Sequence, residues 1–173
     1  MNKKTRIITI SALFSALATV SLYIASVWPT GQLGLAAFSS LFVAAGVIEA
    51  GLKPGIYIYI ISSAISLLIL PDRSAPLLFV LFFGYYPVIK SLIERIGSAI
   101  LRWLIKFFVF NASLSVIYFL LSNLIFDLQG RTPGITVLYL GGNIIFALFD
   151  HGFTKVIWFY INRLSNESNR TRG

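Results

Sequence analysis

Apolar residues fill six long runs of the chain, and polar or helix-breaking residues separate them. A helix needs about 20 residues to cross the roughly 30 Å hydrocarbon core of a bilayer, and each run is close to that length. Every break between runs contains Gly or Pro, which interrupt helices. The pattern predicts an all-α membrane protein, a single domain (1–162) of six transmembrane helices at approximately 7–28, 35–52, 54–70, 76–93, 103–126 and 135–161.

Three local patterns refine this prediction. In "LFFGYYPVIK" (81–90), Pro87 has no N–H to donate to the carbonyl of Phe83, so we expect a kink, and Gly84 permits close packing there. The connection "ERIGSAILR" (94–102) carries enough apolar residues to predict a short helix on the membrane surface. The polar residues 163–173 are expected to form a disordered cytoplasmic tail.

Charge indicates how the helices cross the membrane. Only 12% of residues are charged, against about 25% in soluble domains, and the net charge is +8. Of the 14 Lys and Arg residues, only Arg73 and Arg131 fall on the outer side if the N-terminus is cytoplasmic. This asymmetry predicts a protein of the cell membrane with both termini in the cytoplasm. The basic residues lie between apolar runs and at their ends, and they do not form one solvated surface. This distribution argues against nucleic acid as a partner.

The residues that carry most catalytic chemistry are scarce. The chain has no cysteine and one histidine, and it lacks a zinc-binding His pair, a nucleophile elbow and a phosphate-binding loop. Asp150 and His151 are adjacent, so on a helix they point about 100° apart, which is awkward for a shared metal. We therefore expect no catalytic residues, metal or cofactor, and the protein is not predicted to be an enzyme. His151 has no assigned role beyond a candidate pH sensor.

Charged residues inside the runs fall at one depth. At 1.5 Å per residue they share the cytoplasmic third of the membrane. They can form an ion-paired inner rim, with lysines extending to lipid headgroups, or a proton or ion relay, and the sequence leaves both readings open. This inner charged layer consists of Glu49, Lys90, Lys106, Asp150 and Lys155.

Uncharged polar residues form helical stripes in the outer part of three spans. Lipid chains offer no hydrogen-bond partners to amides and hydroxyls, so we expect these faces to point into the bundle. They can line a ligand pocket or hydrogen-bond one another between helices, and both alternatives stay open. The stripes are Tyr59, Ser62 and Ser66; Asn111, Ser115, Tyr118 and Ser122; and Tyr139, Asn143, Ala147 and Asp150.

Two stretches carry a resemblance to a known family. "SALFSALA" (11–18) resembles the small-residue surface by which S components, the substrate-binding membrane subunits of energy-coupling factor (ECF) vitamin transporters, contact a coupling subunit. "LFVAAGVIEAGLKPGIYIYIISSAISLLILP" (41–71) is similar to the second and third helices of that family, joined by a Gly-containing turn. The resemblance implies a partner-helix surface of Ala12, Ser15 and Ala16. Their spacing alone is equally consistent with packing inside the protein.

The resemblance also implies a function and its partners. A vitamin or vitamin-like molecule would be captured in the outer half of the bundle, and the subunit would topple onto a transmembrane coupling subunit driven by two cytoplasmic ATPases. Aromatic walls with a few amides suit a planar, mostly neutral heterocycle. The implied substrate-binding residues are Tyr23, Trp28, Gln32, Phe79, Tyr118, Tyr139 and Asn143.

Two other functions are compatible with the pattern. The protein can be a membrane scaffold whose small-residue and basic surfaces bind partner helices or membrane lipids. It can also be an ion- or proton-coupled carrier that uses Asp150. Secondary carriers usually contain inverted repeats, and the two halves of this chain show no convincing similarity, which disfavours the carrier.

Overall fold

The computed structural model describes residues 3–125 and 135–170, and every regular element in those ranges is helical. Six helical segments are long and apolar enough to cross a membrane, which confirms the predicted all-α class and indicates a multi-pass membrane protein. The elements are α1 (Lys3–Val27), a short 3₁₀ turn (Pro29–Gly31), α2 (Gln32–Ala50), α3 (Leu52–Ile69), α4 (Ser74–Leu78), a π-helical turn (Phe79–Phe83), α5 (Tyr86–Ile93), α6 (Ala99–Ile125) and α7 (Ile135–Arg170).

The chain divides into two compact units, where the sequence predicts one domain. The first unit, Met1–Thr132, contains α1 to α6, and the second, Pro133–Gly173, contains α7. The predicted spans differ from these helices mainly at their ends, because apolar runs mark the membrane-embedded part of a helix and helices extend beyond it. α7 in particular continues to Arg170, through residues for which the sequence predicts a disordered tail.

The surface helix predicted over 94–102 is wrong. The chain makes a short turn after α5, in which the amides of Arg95 and Ile96 bond to the carbonyls of Leu92 and Ile93. Ser98 then starts α6: its hydroxyl accepts a hydrogen bond from the Leu101 amide at 3.4 Å, and its carbonyl accepts one from the Arg102 amide at 3.1 Å. An N-cap serine directs the apolar residues that follow into the spanning helix itself.

α2 and α3 form a tight helical hairpin. Gly51, the single residue between them, has φ +102°, a conformation that glycine adopts at little cost. A β-carbon at Gly55 would lie 2.2 Å from the Val47 side chain, and one at Gly46 would lie 2.1 Å from that of Ile58. The two helices therefore approach closely through glycine, as small residues allow in membrane proteins.

Serine side chains fill much of the interior that α1, α2 and α3 share. The Ser62 hydroxyl reaches across to the Ser15 carbonyl at 3.4 Å, and four others, Ser26, Ser39, Ser40 and Ser66, donate to carbonyls of their own helix. Small hydroxyl side chains let apolar helices pack closely. The buried serines of these helices are Ser11, Ser15, Ser21, Ser26, Ser39, Ser40, Ser62, Ser63 and Ser66.

The fourth span is a broken helix. α4 gives way to the π-helical turn, in which the Gly84 amide donates to the Phe79 carbonyl at 2.7 Å, and α5 starts just before Pro87. Pro87 has no N–H to donate to a carbonyl of the preceding turn, so the regular α-helical hydrogen bonds are interrupted upstream of it. The predicted interruption is present, and it extends from the proline toward Phe79.

Candidate functional site

The break in the fourth span is held by side chains of two neighbouring helices. From α3, the Tyr59 hydroxyl donates to the Val80 carbonyl at 3.0 Å, so a backbone group of the π turn gains a partner from outside its own helix. From α6, the Ser113 hydroxyl hydrogen-bonds to the Tyr85 hydroxyl. We call Tyr59, Phe79, Gly84, Tyr85 and Ser113 the break site.

Aromatic rings surround these hydroxyls. The ring centroid of Tyr59 lies 6.2 Å from that of Phe79 and 6.2 Å from that of Tyr85. Gly84 fits against the same rings: a β-carbon there would lie 2.6 Å from the Tyr59 ring and 2.7 Å from the Phe79 ring. Two phenols and a serine hydroxyl thus stand among aromatic walls in an apolar span.

The break site lies well inside the fourth span. Phe79 and Gly84 are roughly 8 and 15 Å from the start of α4 at Ser74, counted at 1.5 Å per residue. At that depth, backbone groups outside regular helix must find partners in the protein, because lipid offers none. Tyr59 supplies one such partner.

Of the residues that the resemblance implies for substrate, Phe79 belongs to the break site and is fully buried. Tyr23 and Trp28 lie elsewhere: they line an open groove of about 290 Å³ with Ile24 and Val27, at the end of α1. Both side chains are mostly exposed, 53% for Tyr23 and 62% for Trp28. Exposed Tyr and Trp at a helix end are typical of the interface between membrane and water.

Gln32, the first residue of α2, is bonded to the connection between α3 and α4 at one end of the first unit. Its amide nitrogen donates to the Asp72 carboxylate at 2.5 Å, which ties the connection between α1 and α2 to the connection between α3 and α4. The other oxygen of Asp72 accepts from the amide and hydroxyl of Ser74, at 3.0 and 2.9 Å. Asp72 is not among the predicted site residues, and no neighbouring residue in sequence indicates this long-range contact.

The remaining implied substrate residues lie on α6 and α7. Tyr118 is half-buried on α6, and Tyr139 and Asn143 are half-buried on α7. The Asn143 amide donates to the Tyr139 carbonyl one helical turn earlier, at 2.8 Å. On α6 the buried hydroxyl belongs to Ser113, whereas Ser115 of the predicted polar stripe is exposed. On α3 the predicted inward stripe is confirmed, because Ser62 and Ser66 are fully buried.

The small residues of α1 lie on two different faces of the helix. Ala12 and Ala16 are exposed on its outer face, whereas Ser15 is buried against the interior. The exposed pair is available to another helix or to lipid, and Ser15 belongs to packing within the first unit.

A charged cluster forms where the fourth span meets α6, around Glu94, which is not among the predicted site residues. One oxygen of the Glu94 carboxylate lies 2.6 Å from the Lys106 ammonium and 3.4 Å from the Lys90 ammonium. The other oxygen lies 3.8 Å from Nε of Arg102. Lys90 and Lys106 are buried, and Glu94 is 41% exposed. Two members of the predicted inner charged layer therefore meet at Glu94, a partner that neighbouring residues in sequence do not reveal.

The same contacts determine how Glu94 ionises. Partial burial raises the pKa of its carboxyl, but the hydrogen bond from Lys106 and the charges of Lys106 and Lys90 together hold that pKa below its ordinary value of 4.5. Glu94 is therefore ionised at neutral pH and bridges two helices.

The other predicted charged residues are distributed over both units. Glu49 is half-buried at the end of α2, Asp150 is buried on α7, and Lys155 and His151 are exposed on α7. Among the residues that the structure describes, no group of three or more His, Cys, Asp or Glu side chains is placed to hold a metal ion.

Comparison of the chain with protein-family models, with curated proteins and with solved structures found no match. What can be argued about function therefore rests on the residues and their arrangement.

Proposed function

We propose that this protein is a substrate-binding membrane subunit of the ECF type, which captures a vitamin or vitamin-like small molecule. The observation that carries the proposal is the broken fourth span, with the Tyr59, Tyr85 and Ser113 hydroxyls gathered at the break. Membrane transport proteins commonly bind substrates where a spanning helix is interrupted, because such a break presents polar groups at membrane depth.

The chemistry of the break site favours a planar ligand with a few polar edges. The rings of Tyr59, Phe79 and Tyr85 offer flat apolar contact. The Ser113 hydroxyl donates to the Val109 carbonyl at 2.8 Å, so the Tyr85 hydroxyl donates to Ser113, and both oxygens keep lone pairs that can accept a hydrogen bond from a ligand. These features support a neutral heterocycle as the substrate class.

The remaining parts of the proposal follow from the sequence resemblance and from charge. The exposed Ala12 and Ala16 of α1 are the proposed contact for a transmembrane coupling subunit, with cytoplasmic ATPases supplying the energy. The protein is proposed to lie in the cell membrane with both termini in the cytoplasm, because the basic residues concentrate at that end of the helices. Its role is then binding and not catalysis.

A thermal-stability screen tests the proposal. The purified protein is heated with water-soluble vitamins and their precursors, one at a time. We expect one compound or close group to stabilise it, by about 2.7 kcal/mol at a hundredfold excess over the dissociation constant. Tyr85→Phe and Ser113→Ala should weaken that binding several-fold, since each removes one hydrogen-bonding group.

Ser115→Ala is the matched control, because Ser115 is an exposed serine on the same helix. It should bind the compound as the parent protein does. Stabilisation by none of the compounds would contradict the proposed function, and equal binding by all three variants would place the ligand outside the break site.

A membrane scaffold is the second candidate, and close helix packing favours it. Gly46, Gly55 and Gly84 all lack room for a β-carbon, which describes a solid interior. A scaffold would co-purify with the same partner whether or not a small molecule is present, and no compound in the screen would stabilise it.

A further inference from the structure

Three exposed cationic side chains of the first unit have no partner among the residues that the structure describes. Arg6 lies in the second turn of α1, Lys53 at the start of α3, and Arg95 in the turn before α6. In the ranges that the structure describes, none of the three side chains makes an ion pair or a hydrogen bond. Each therefore presents its full charge to the surroundings.

These three residues lie at the same end of the first unit. The bond between Gln32, which follows the end of α1, and Asp72, which follows the end of α3, places those two helix ends together, so the starts of α1 and α3 share the opposite end. The short connection from Ile69 to Ser74 turns the chain back along α3, and Tyr59 packs against Gly84, so the start of α3 lies at the same end as the end of α5, where Arg95 follows. The starts of α1 and α3 and the turn after α5 share one end.

The acid nearest to Arg95 in sequence is already occupied. The Glu94 carboxylate contacts Lys106 and Lys90 through one oxygen and Arg102 through the other. Glu94 therefore does not neutralise the exposed cations, and Glu49 at the end of α2 makes no ion pair with any of the three in the described part of the chain.

The apolar surroundings indicate what kind of molecule brings those groups. Trp103 is 41% exposed at this end, its ring stacked on Phe107 with a centroid distance of 5.6 Å. Leu101 and Leu104 beside it are 45% and 62% exposed. A tryptophan among exposed leucines marks the level at which lipid headgroups meet acyl chains. A molecule with an anionic head and apolar tails fits this surface.

We propose that Arg6, Lys53 and Arg95 form a binding surface for the phosphate groups of anionic phospholipids. Each cation near an anionic membrane surface favours binding by about fivefold, so three together favour an anionic over a zwitterionic lipid on the order of a hundredfold. In the described part of the unit, the opposite end has one exposed arginine, Arg73, next to Asp72 in the connection between α3 and α4. The proposal is independent of the function proposed above.

Tryptophan quenching in vesicles tests this surface. The chain has 3 Trp residues, so Trp28→Phe with Trp158→Phe leaves Trp103 as the reporter at the relevant end. The protein is placed in phosphatidylcholine vesicles, and brominated phosphatidylglycerol or brominated phosphatidylcholine is added to quench the fluorescence. We expect phosphatidylglycerol to quench at much lower mole fraction, and added salt to reduce the difference.

Two variants in this background separate charge from folding. The first variant removes all three charges, with Arg6→Gln, Lys53→Gln and Arg95→Gln, and the two lipids should then quench equally. The second variant keeps the charges, with Arg6→Lys, Lys53→Arg and Arg95→Lys, and phosphatidylglycerol should still quench at lower mole fraction than phosphatidylcholine. Arg73→Gln, at the opposite end, should leave it unchanged. Equal quenching by both lipids in the parent, or an undiminished preference in the neutral variant, would overturn the proposal and leave an acidic protein partner for these cations.

Discussion

Gly84 is the residue whose side-chain size most directly controls the break in the fourth span. Any β-carbon there would lie 2.6 Å from the Tyr59 ring and 2.7 Å from the Phe79 ring, and neither ring lies at the end of a flexible chain. Gly84→Ala should therefore displace both rings and lower the free energy of unfolding by about 1 to 3 kcal/mol.

The measurement is thermal unfolding of the purified protein, with Gly97→Ala as the control. A β-carbon at Gly97 meets no atom within 4 Å, so its variant should change the free energy of unfolding by less than about 0.5 kcal/mol. Equal stability of the two variants would show that the rings do not enclose Gly84 as described.

At the scale of single residues, what could be predicted from sequence was limited to backbone effects. Pro87 and Gly84 identify an interruption because their consequences are local: a missing N–H and a missing side chain. The hydroxyl contacts of Tyr59 and Tyr85 were missed because their partners, Val80 and Ser113, lie on other helices or far along the chain. Only the packing of those helices determines which hydroxyls meet.

At the scale of elements, α6 is joined to the fourth span by one stripe of side chains. Lys106, Phe110 and Ser113 lie at i, i+4 and i+7 on α6, and they contact Glu94, Phe82 and Tyr85 respectively. The stripe runs from a charged pair at one end, through an aromatic pair, to a hydroxyl pair at the break site. Glu94 therefore joins the first part of α6, through Lys106, to the end of the fourth span, away from the break site.

Glu94→Gln tests that role through its pH dependence. Because the pKa of Glu94 is lowered in the folded protein, its ionised form stabilises the fold above the ordinary value of 4.5, and this contribution is lost as the pH falls through the folded pKa. With Glu94 41% exposed, we expect the variant to lose no more than about 1 kcal/mol at neutral pH.

The check is the difference in melting temperature between parent and variant across a pH series. It should be constant from neutral pH down to about 5 and should shrink toward zero in more acidic solution. A difference that persists unchanged in acid would mean that the glutamine disturbs packing, and that the carboxylate charge is not what fastens α6.

The boundaries of helices were predicted well where the apolar pattern determines them. They were predicted poorly where a capping residue determines them. All six spans were found, because length and apolar character suffice. The stretch 94–102 was misassigned, since Ser98 caps α6 and draws the apolar residues after it into the spanning helix. Glu94 lies four residues before that cap, in a stretch predicted as a surface helix, so its contacts with Lys90 and Lys106 were not predicted.

At the scale of the whole molecule, the first unit combines two kinds of construction. α1, α2 and α3 pack closely through serine and glycine, with Ser62 and Ser66 fully buried. The fourth span and α6 meet through aromatic rings, hydroxyls and an ion cluster. The proposed ligand would bind in the second part, where hydroxyls and aromatic rings meet at the break site.

Orientation in the membrane is the last property that the charge distribution predicts. The chain has no cysteine, so single cysteines report their own positions. Gly34, near the start of α2, and Gly97, in the turn before α6, are exposed glycines with no atom within 4 Å of an added β-carbon, and they lie at opposite ends of the first unit. They form a matched pair for Gly34→Cys and Gly97→Cys.

In intact cells, a maleimide that cannot cross the membrane should label Gly34→Cys and leave Gly97→Cys unlabelled, and permeabilised cells should label both. The expectation follows from the positive-inside rule, because the turn with Gly97 adjoins Arg95 and Arg102, and lysine- and arginine-rich connections stay in the cytoplasm. The reverse pattern would place the exposed Arg6, Lys53 and Arg95 outside the cell. The lipid surface would then face the outer leaflet, and the break site, counted from the start of α4, would open toward the cytoplasm, which a subunit for uptake does not permit.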